Sequence, residues 1–131
     1  MNICCEEKKM IGGGRYNDVL INLKSELEQE GFLITGMSDF LERVMEELSI
    51  DVHKQVTIVT HYSKFVSEAS RLNQPMGLMV PYGIVVYQNE DDYIQVKLLN
   101  CVLNHDVIAH DGLDCLFEEG YQKLNTLLSR Y

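Results

Sequence analysis

Short β-rich runs alternate with helix-periodic segments along the whole chain, at intervals small enough for all of them to share one core. Residues 2 to 11 form a strand candidate around Ile3, Cys5 and Ile11, interrupted by Glu6, Glu7, Lys8 and Lys9. Charge of that kind suits a sheet edge, where it discourages pairing with other chains. Gly12-Gly13-Gly14 punctuates the chain, and Asn17 or Asp18 can cap a helix that carries Val19, Leu20, Leu23 and Leu27 on one face and stops at Gly31. Phe32 to Thr35 reads as a strand leading into a turn at Gly36. Ser38 caps the next helix, in which Phe40, Leu41, Val44, Met45 and Leu48 recur at helical spacing away from Glu42, Arg43, Glu46 and Glu47. Val56 to Thr60 is a strand, and Ser63 caps a shorter helix with Phe65, Val66, Ala69 and Leu72 inward and Pro75 past its end.

Further on, Tyr82 to Tyr87 and Tyr93 to Leu99 flank the polar turn Asn89-Glu90-Asp91-Asp92, which predicts a β-hairpin. Its first arm is almost continuously apolar, as inside a sheet, whereas Tyr93, Gln95 and Lys97 alternate with Ile94, Val96 and Leu98, as on a half-exposed strand. A terminal helix follows, with Leu113, Leu116, Phe117, Tyr121, Leu124, Leu127 and Leu128 along one stripe. The order β-α-β-α-β-α-β-β-α predicts an α+β fold: an antiparallel or mixed sheet of four to five strands with helices packed on it.

Composition narrows the picture. The 131 residues suit a single domain spanning 1–131, and 46% hydrophobic against 24% charged residues is ordinary globular usage. A net charge of −9 disfavours nucleic acid and anionic membrane surfaces, both of which recruit Lys and Arg. The longest apolar stretch, Met76 to Tyr87, contains Gly77, Pro81 and Gly83 and is far shorter than the roughly 20 residues of a membrane-spanning helix. The opening MNICCEEKKM lacks the basic-then-apolar order of a secretory signal, so a cytoplasmic location is expected, with the four cysteines as thiols.

At Gly77-Leu78-Met79-Val80-Pro81, followed by Ile84-Val85-Val86-Tyr87, the chain resembles the domain-of-unknown-function 302 family. The likeness runs from the first helix with its Gly31-Phe32 exit to the hairpin and terminal helix. It implies a small α+β fold related to one half of the TATA-binding-protein saddle, and a homodimer; it implies no established reaction. Family members often carry a cysteine followed by Asn-Pro where this chain has His61, Tyr62 and Ser63, and a cysteine after the family proline where it has Tyr82. Thiol chemistry at those places does not carry over. The resemblance also allows haem held through histidine.

Several residues have the chemistry for a site. His61 lies after a strand and before a helix cap, where an imidazole can be a structural group, a haem or metal ligand, or an acid/base. A two-fold axis could bring two copies of it together, with Met76, Met79 and Tyr82 as an apolar wall. His105-Asp106 and His110-Asp111 offer N and O donors, but on a helix the five-residue spacing turns the imidazoles about 140° apart, so a loop would have to converge them. Adjacent Cys4 and Cys5 point to opposite sides of a strand, and Cys101 and Cys115 lack a C-x-x-C partner, so no cysteine metal site is expected. Gly12-Gly13-Gly14-Arg15 lacks the Lys-Ser/Thr of a P-loop, and Ser63 and Ser67 lack a nucleophile elbow. The acidic turn and glutamate pairs read as solvated faces.

The combined expectation is a homodimeric module that binds a small ligand with His61, Tyr82, Met76 and Met79 around its pocket. The alternatives are a haem or metal protein using His61 and a small enzyme with His61 as acid/base. The terminal helix and Met76 to Tyr87 are the surfaces this reading assigns to dimerisation.

Overall fold

The computed structural model describes residues 3–11, 16–50, 53–72, 81–89, 93–101 and 111–131. Gly12-Gly13-Gly14, Met76, Met79, His105, Asp106 and His110 lie outside the described residues. In chain order the elements are β1 (Ile3–Ile11), α1 (Tyr16–Gln29), β2 (Phe32–Ser38), α2 (Phe40–Glu47), β3 (Gln55–Tyr62), α3 (Ser63–Arg71), β4 (Tyr82–Gln88), β5 (Ile94–Cys101) and α4 (Asp111–Leu128). The strands form one five-stranded sheet in the order β1-β5-β4-β3-β2, with every neighbouring pair antiparallel. This is the expected α+β architecture. The charged strand β1 does lie at an edge, and the apolar first arm of the hairpin, β4, lies in the middle.

Period-two burial explains how the sheet meets the helices. Ile58 and Thr60 of β3, Ile84 and Val86 of β4, and Ile94, Val96 and Leu98 of β5 are sealed from solvent. The apolar ones among them join Val19, Leu23 and Leu27 of α1, Phe65 and Ala69 of α3, and Leu113, Phe117, Leu124, Leu127 and Leu128 of α4 in one core. The alternate strand residues Thr57, Val59, His61, Val85, Tyr87, Lys97 and Leu99 keep partial exposure and are outside that core. Among the described residues, α1, α3 and α4 therefore bury their apolar stripes against one side of the sheet. Gln95, on the second side, is nonetheless buried.

Helix ends follow local backbone chemistry. Gly31 leaves α1 at φ 89°, a left-handed conformation that costs a residue without Cβ little. Its carbonyl then accepts the Ser63 N–H at 2.9 Å, tying this exit to the start of α3. At the end of α2, Ser49 takes the corresponding left-handed position at φ 56°. Ser49 N–H donates to Glu46 O at 3.1 Å and Ile50 N–H to Met45 O at 2.9 Å, the paired bonds of a Schellman motif.

Four local expectations are corrected. Helix α1 begins at Tyr16, placing Asn17 and Asp18 inside its first turn; the buried Tyr16 hydroxyl donates to Val86 O at 3.4 Å and holds the helix start against the sheet. Gly36 is not a turn: a bulge between Ile34 and Gly36 absorbs the irregularity and β2 continues to Ser38. Ser38 Oγ accepts the Phe40 N–H at 3.1 Å although Asp39 holds the capping position. Strand β3 runs on through His61 and Tyr62, because Phe32 pairs with Tyr62 and Leu33 with His61; extended Tyr62, not Ser63, is thus the residue that caps α3.

The largest difference concerns α2. Its Phe40 and Leu48 are 59% and 63% exposed, so the apolar stripe expected to face the core is partly left in solvent.

Candidate functional site: His61 on the open sheet face

His61 owes its position to the register of β3 against β2. Opposite it stands Leu33, and the bulge after Ile34 turns Thr35 toward the same edge. Thr35 Oγ1 lies 3.0 Å from His61 Nδ1 and 3.3 Å from Val59 O. The hydroxyl carries one proton, so two arrangements are open to it. When it donates to His61 Nδ1, Nε2 carries the ring proton and is a donor. When it donates to Val59 O, its oxygen accepts from Nδ1–H and Nε2 becomes a free lone pair, the form that ligates metals or takes a proton. Nε2 has no hydrogen-bond partner among the described residues. The half-buried imidazole therefore presents one uncommitted nitrogen at the rim of the sheet's second side.

Its neighbours on the same face are apolar and half-buried. Val59 pairs with Gly83, which pairs with Leu99. A Cβ at Gly83 would fall 2.9 Å from Leu99 Cδ1, so the absent side chain is what lets Leu99 lie across the sheet there. Farther along, the Lys97 ammonium sits 5.3 Å from the centre of the Tyr87 ring, a cation–π distance.

Tyr82 belongs to the opposite side. It pairs with Thr60, faces the helices and is 4% exposed. Its ring stacks on Phe117 at 4.4 Å between centroids, and its hydroxyl donates to Phe117 O at 2.7 Å. Burial holds that hydroxyl far above the usual tyrosine range, with Tyr62, Glu118 and Glu119 adding to the effect. The sequence reading placed His61 and Tyr82 at one rim; period-two alternation puts the sheet between them. Met76 and Met79, the other two expected members, lie outside the described residues.

A second polar cluster escaped the sequence reading. The Tyr62 hydroxyl donates to Glu119, and burial followed by that bond pushes its pKa up to about 12. In turn, the bond from Tyr62 holds the Glu119 carboxyl below its ordinary value, with Lys64 at 3.7 Å and nearby Lys123 acting in the same direction. Lys123 also stands 5.9 Å from the Tyr62 ring centre and 3.8 Å from Glu30. Gly120 makes the cluster possible: a Cβ there would lie 2.5 Å from the Tyr82 hydroxyl and 2.9 Å from the Tyr62 ring. A glycine in the middle of an otherwise regular helix was the available signal, since it costs helix stability and asks for a packing reason.

Shallow recesses mark the described surface. One of about 310 Å³ adjoins this cluster between Glu30, Glu119 and Arg130, and one of about 470 Å³ lies between α1 and the Arg130-Tyr131 end. In the second, Arg130 pairs with Glu26 at 3.0 Å and the Tyr131 hydroxyl donates to the same carboxylate. A third, about 380 Å³, is on α2. His61 lines none of these. Among the described residues, no three His, Cys, Asp or Glu side chains converge as a metal centre, and no helix is long and apolar enough to cross a membrane.

An antiparallel sheet with helices packed on one side is the architecture of a small α+β domain. The sequence profile of the domain of unknown function DUF302 matches residues 10–131, and the chain belongs to that family. Its fold is similar to that of the crystal structure of an uncharacterized conserved DUF302 protein from Bacillus stearothermophilus, with a TM-score of 0.70, 18% identity, and coverage of 99% of this chain and 98% of that one. No curated protein matches the chain.

Proposed function

We propose that this chain is a homodimeric binding module that takes a small, largely apolar ligand on the open sheet face, with His61 as its polar contact and Thr35 as the group that sets the imidazole's tautomer. The observation that carries the reading is the uncommitted Nε2 of a half-buried histidine beside Val59, Gly83 and Leu99. A half-buried donor or acceptor without a protein partner favours a ligand that supplies one. Tyr82 acts from behind the sheet, by fixing β4 against α4, rather than by touching the ligand. A fragment library screened by NMR tests this. A binder shifts resonances of residues 57–61 and 83–87 together in the wild type and loses its effect in His61→Ala; binders confined to the helix side would defeat it.

The Thr35 arrangement favours haem or metal ligation as the second reading, because one of its two hydrogen-bond patterns leaves Nε2 as a lone pair. Titration with haemin separates the two: a Soret band lost in His61→Ala selects the second reading, and an unchanged haemin spectrum in the wild type removes it.

A further inference from the structure

The exposed large apolar side chains are concentrated in one stretch. Of the seven among the described residues, five are Leu33, Met37, Phe40, Leu48 and Ile50. They fall on β2, one of the two edge strands of the sheet, on α2, and on the chain leaving α2. On α2, Phe40, Val44 and Leu48 follow one another at i, i+4 and i+8 and so form a single ridge. Arg43 and Glu47, also four apart, form the neighbouring ridge, and these five residues line the recess of about 380 Å³. Elsewhere on the helix, Glu42 accepts the Gln55 N–H at 2.6 Å, and Met45 Sδ lies 3.4 Å from Gln55 Nε2. One side of α2 is thus fixed to β3, while the Phe40-Val44-Leu48 ridge faces away from it.

We infer that this ridge docks on the same ridge of a second copy of the chain, the two α2 helices lying antiparallel across a two-fold axis near Val44. The inference rests on the homodimeric reading above and names its surface. Charge decides for a second copy. The chain carries a net charge of −9, which opposes self-association, yet the immediate rim of the ridge holds one cation and one anion. In an antiparallel helix pair, residues flanking the seam meet the same flank of the partner, so each Arg43 faces the Glu47 of the other copy and the rim is self-complementary. The apolar ends match as well: Met37 and Phe40 at the start of one helix meet Leu48 and Ile50 at the end of the other. Arg43 now rests on Asp39 at 3.2 Å, an exposed pair that gives way readily. The surface differs from the terminal helix assigned by the sequence pattern, because Leu113, Leu124, Leu127 and Leu128 already lie in the core.

Sedimentation velocity over a dilution series tests the assignment, with far-UV circular dichroism confirming that each variant is folded. The wild type dissociates reversibly on dilution. Phe40→Asp combined with Leu48→Asp weakens association at least about tenfold, since both place a charge in the seam. Arg43→Glu and Glu47→Arg each weaken it severalfold, and combining the two restores it, which damage to the fold could not do. A wild type that stays monomeric at all concentrations removes this inference and the homodimeric reading together. A dimer that survives Phe40→Asp/Leu48→Asp leaves the homodimeric reading standing and overturns the surface. Loss of association in both single charge reversals without recovery in the combination overturns the antiparallel pairing.

Discussion

Along α4, Leu113, Leu124 and Leu128 are at most 1% exposed, whereas along α2 Phe40 and Leu48 stand at 59% and 63%. Both helices repeat apolar residues every three or four positions. What separates them is what lies beneath: α4 packs against β5 and α3, while the eight-residue α2 is held to β3 through Gln55 at the start of that strand. Periodicity tells which side of a helix is apolar; it does not tell what will cover that side. The difference divides the molecule into an aromatic interior that carries stability and an apolar rim left available for association.

The interior's largest expected response is to alkali. Tyr16 and Tyr62 are held neutral to about pH 12, Tyr16 by burial and then Glu42, Tyr62 by burial and then its bond to Glu119. Burial raises Tyr82 and Tyr131 still further. Each favours the protonated form in the fold, so its contribution is complete below the unfolded value of about 10 and is lost as pH climbs toward the folded one. Stability falls by about 1.4 kcal/mol per pH unit for each such tyrosine across that window. Urea denaturation at pH 9, 10, 11 and 12 reads the slope, and a flat profile would remove the claim that these hydroxyls are sealed. Next in size is Phe117→Ala, which leaves a hole beside the rings of Tyr82 and Phe65 and costs about 3–5 kcal/mol. Gly120→Ala drives a methyl into the Tyr82 hydroxyl and the Tyr62 ring. Overpacking of about 1–3 kcal/mol outweighs the roughly 1 kcal/mol that alanine returns in helix propensity, so the variant melts below wild type in calorimetry. A rise in melting temperature would show that the two rings can withdraw.

Much of this interior was legible in the sequence. The hairpin, the edge position of β1, the glycine exit of α1 and the stripe of α4 all follow from period, charge and backbone freedom, which are local properties. The site was less legible. His61 looked like a loop residue because Val56 to Thr60 ended the obvious β run; its place in a strand comes from pairing with Leu33, and no local signal carries that. Its separation from Tyr82 was implicit in period-two alternation, once both were known to lie in paired strands. The Tyr62–Glu119 bond joins positions 57 residues apart and needs the fold before it can be seen.

The rim can be probed without touching the seam. Ser49 and Gly31 both occupy left-handed positions after a helix, but only Gly31 does so without a Cβ. Ser49→Gly relieves that cost and raises stability by about 0.5–1 kcal/mol, read as a higher denaturation midpoint. No gain would mean that Ser49 makes a compensating interaction.

The smallest expected effect bears most directly on the comparison. Phe40→Ala removes the same side chain as Phe117→Ala, also from a helix. The Phe40 ring is 59% exposed, so truncation removes little buried surface and improves local helix propensity. Measured by urea denaturation at concentrations low enough for the protomers to be separate, the change in stability should stay within about 0.5 kcal/mol. At higher concentration the wild type should gain apparent stability that Phe40→Ala does not, because association adds to the folded state only where the ridge is intact. A cost comparable to that of Phe117→Ala in dilute solution would place Phe40 inside the protomer's core and erase the distinction between the two helices.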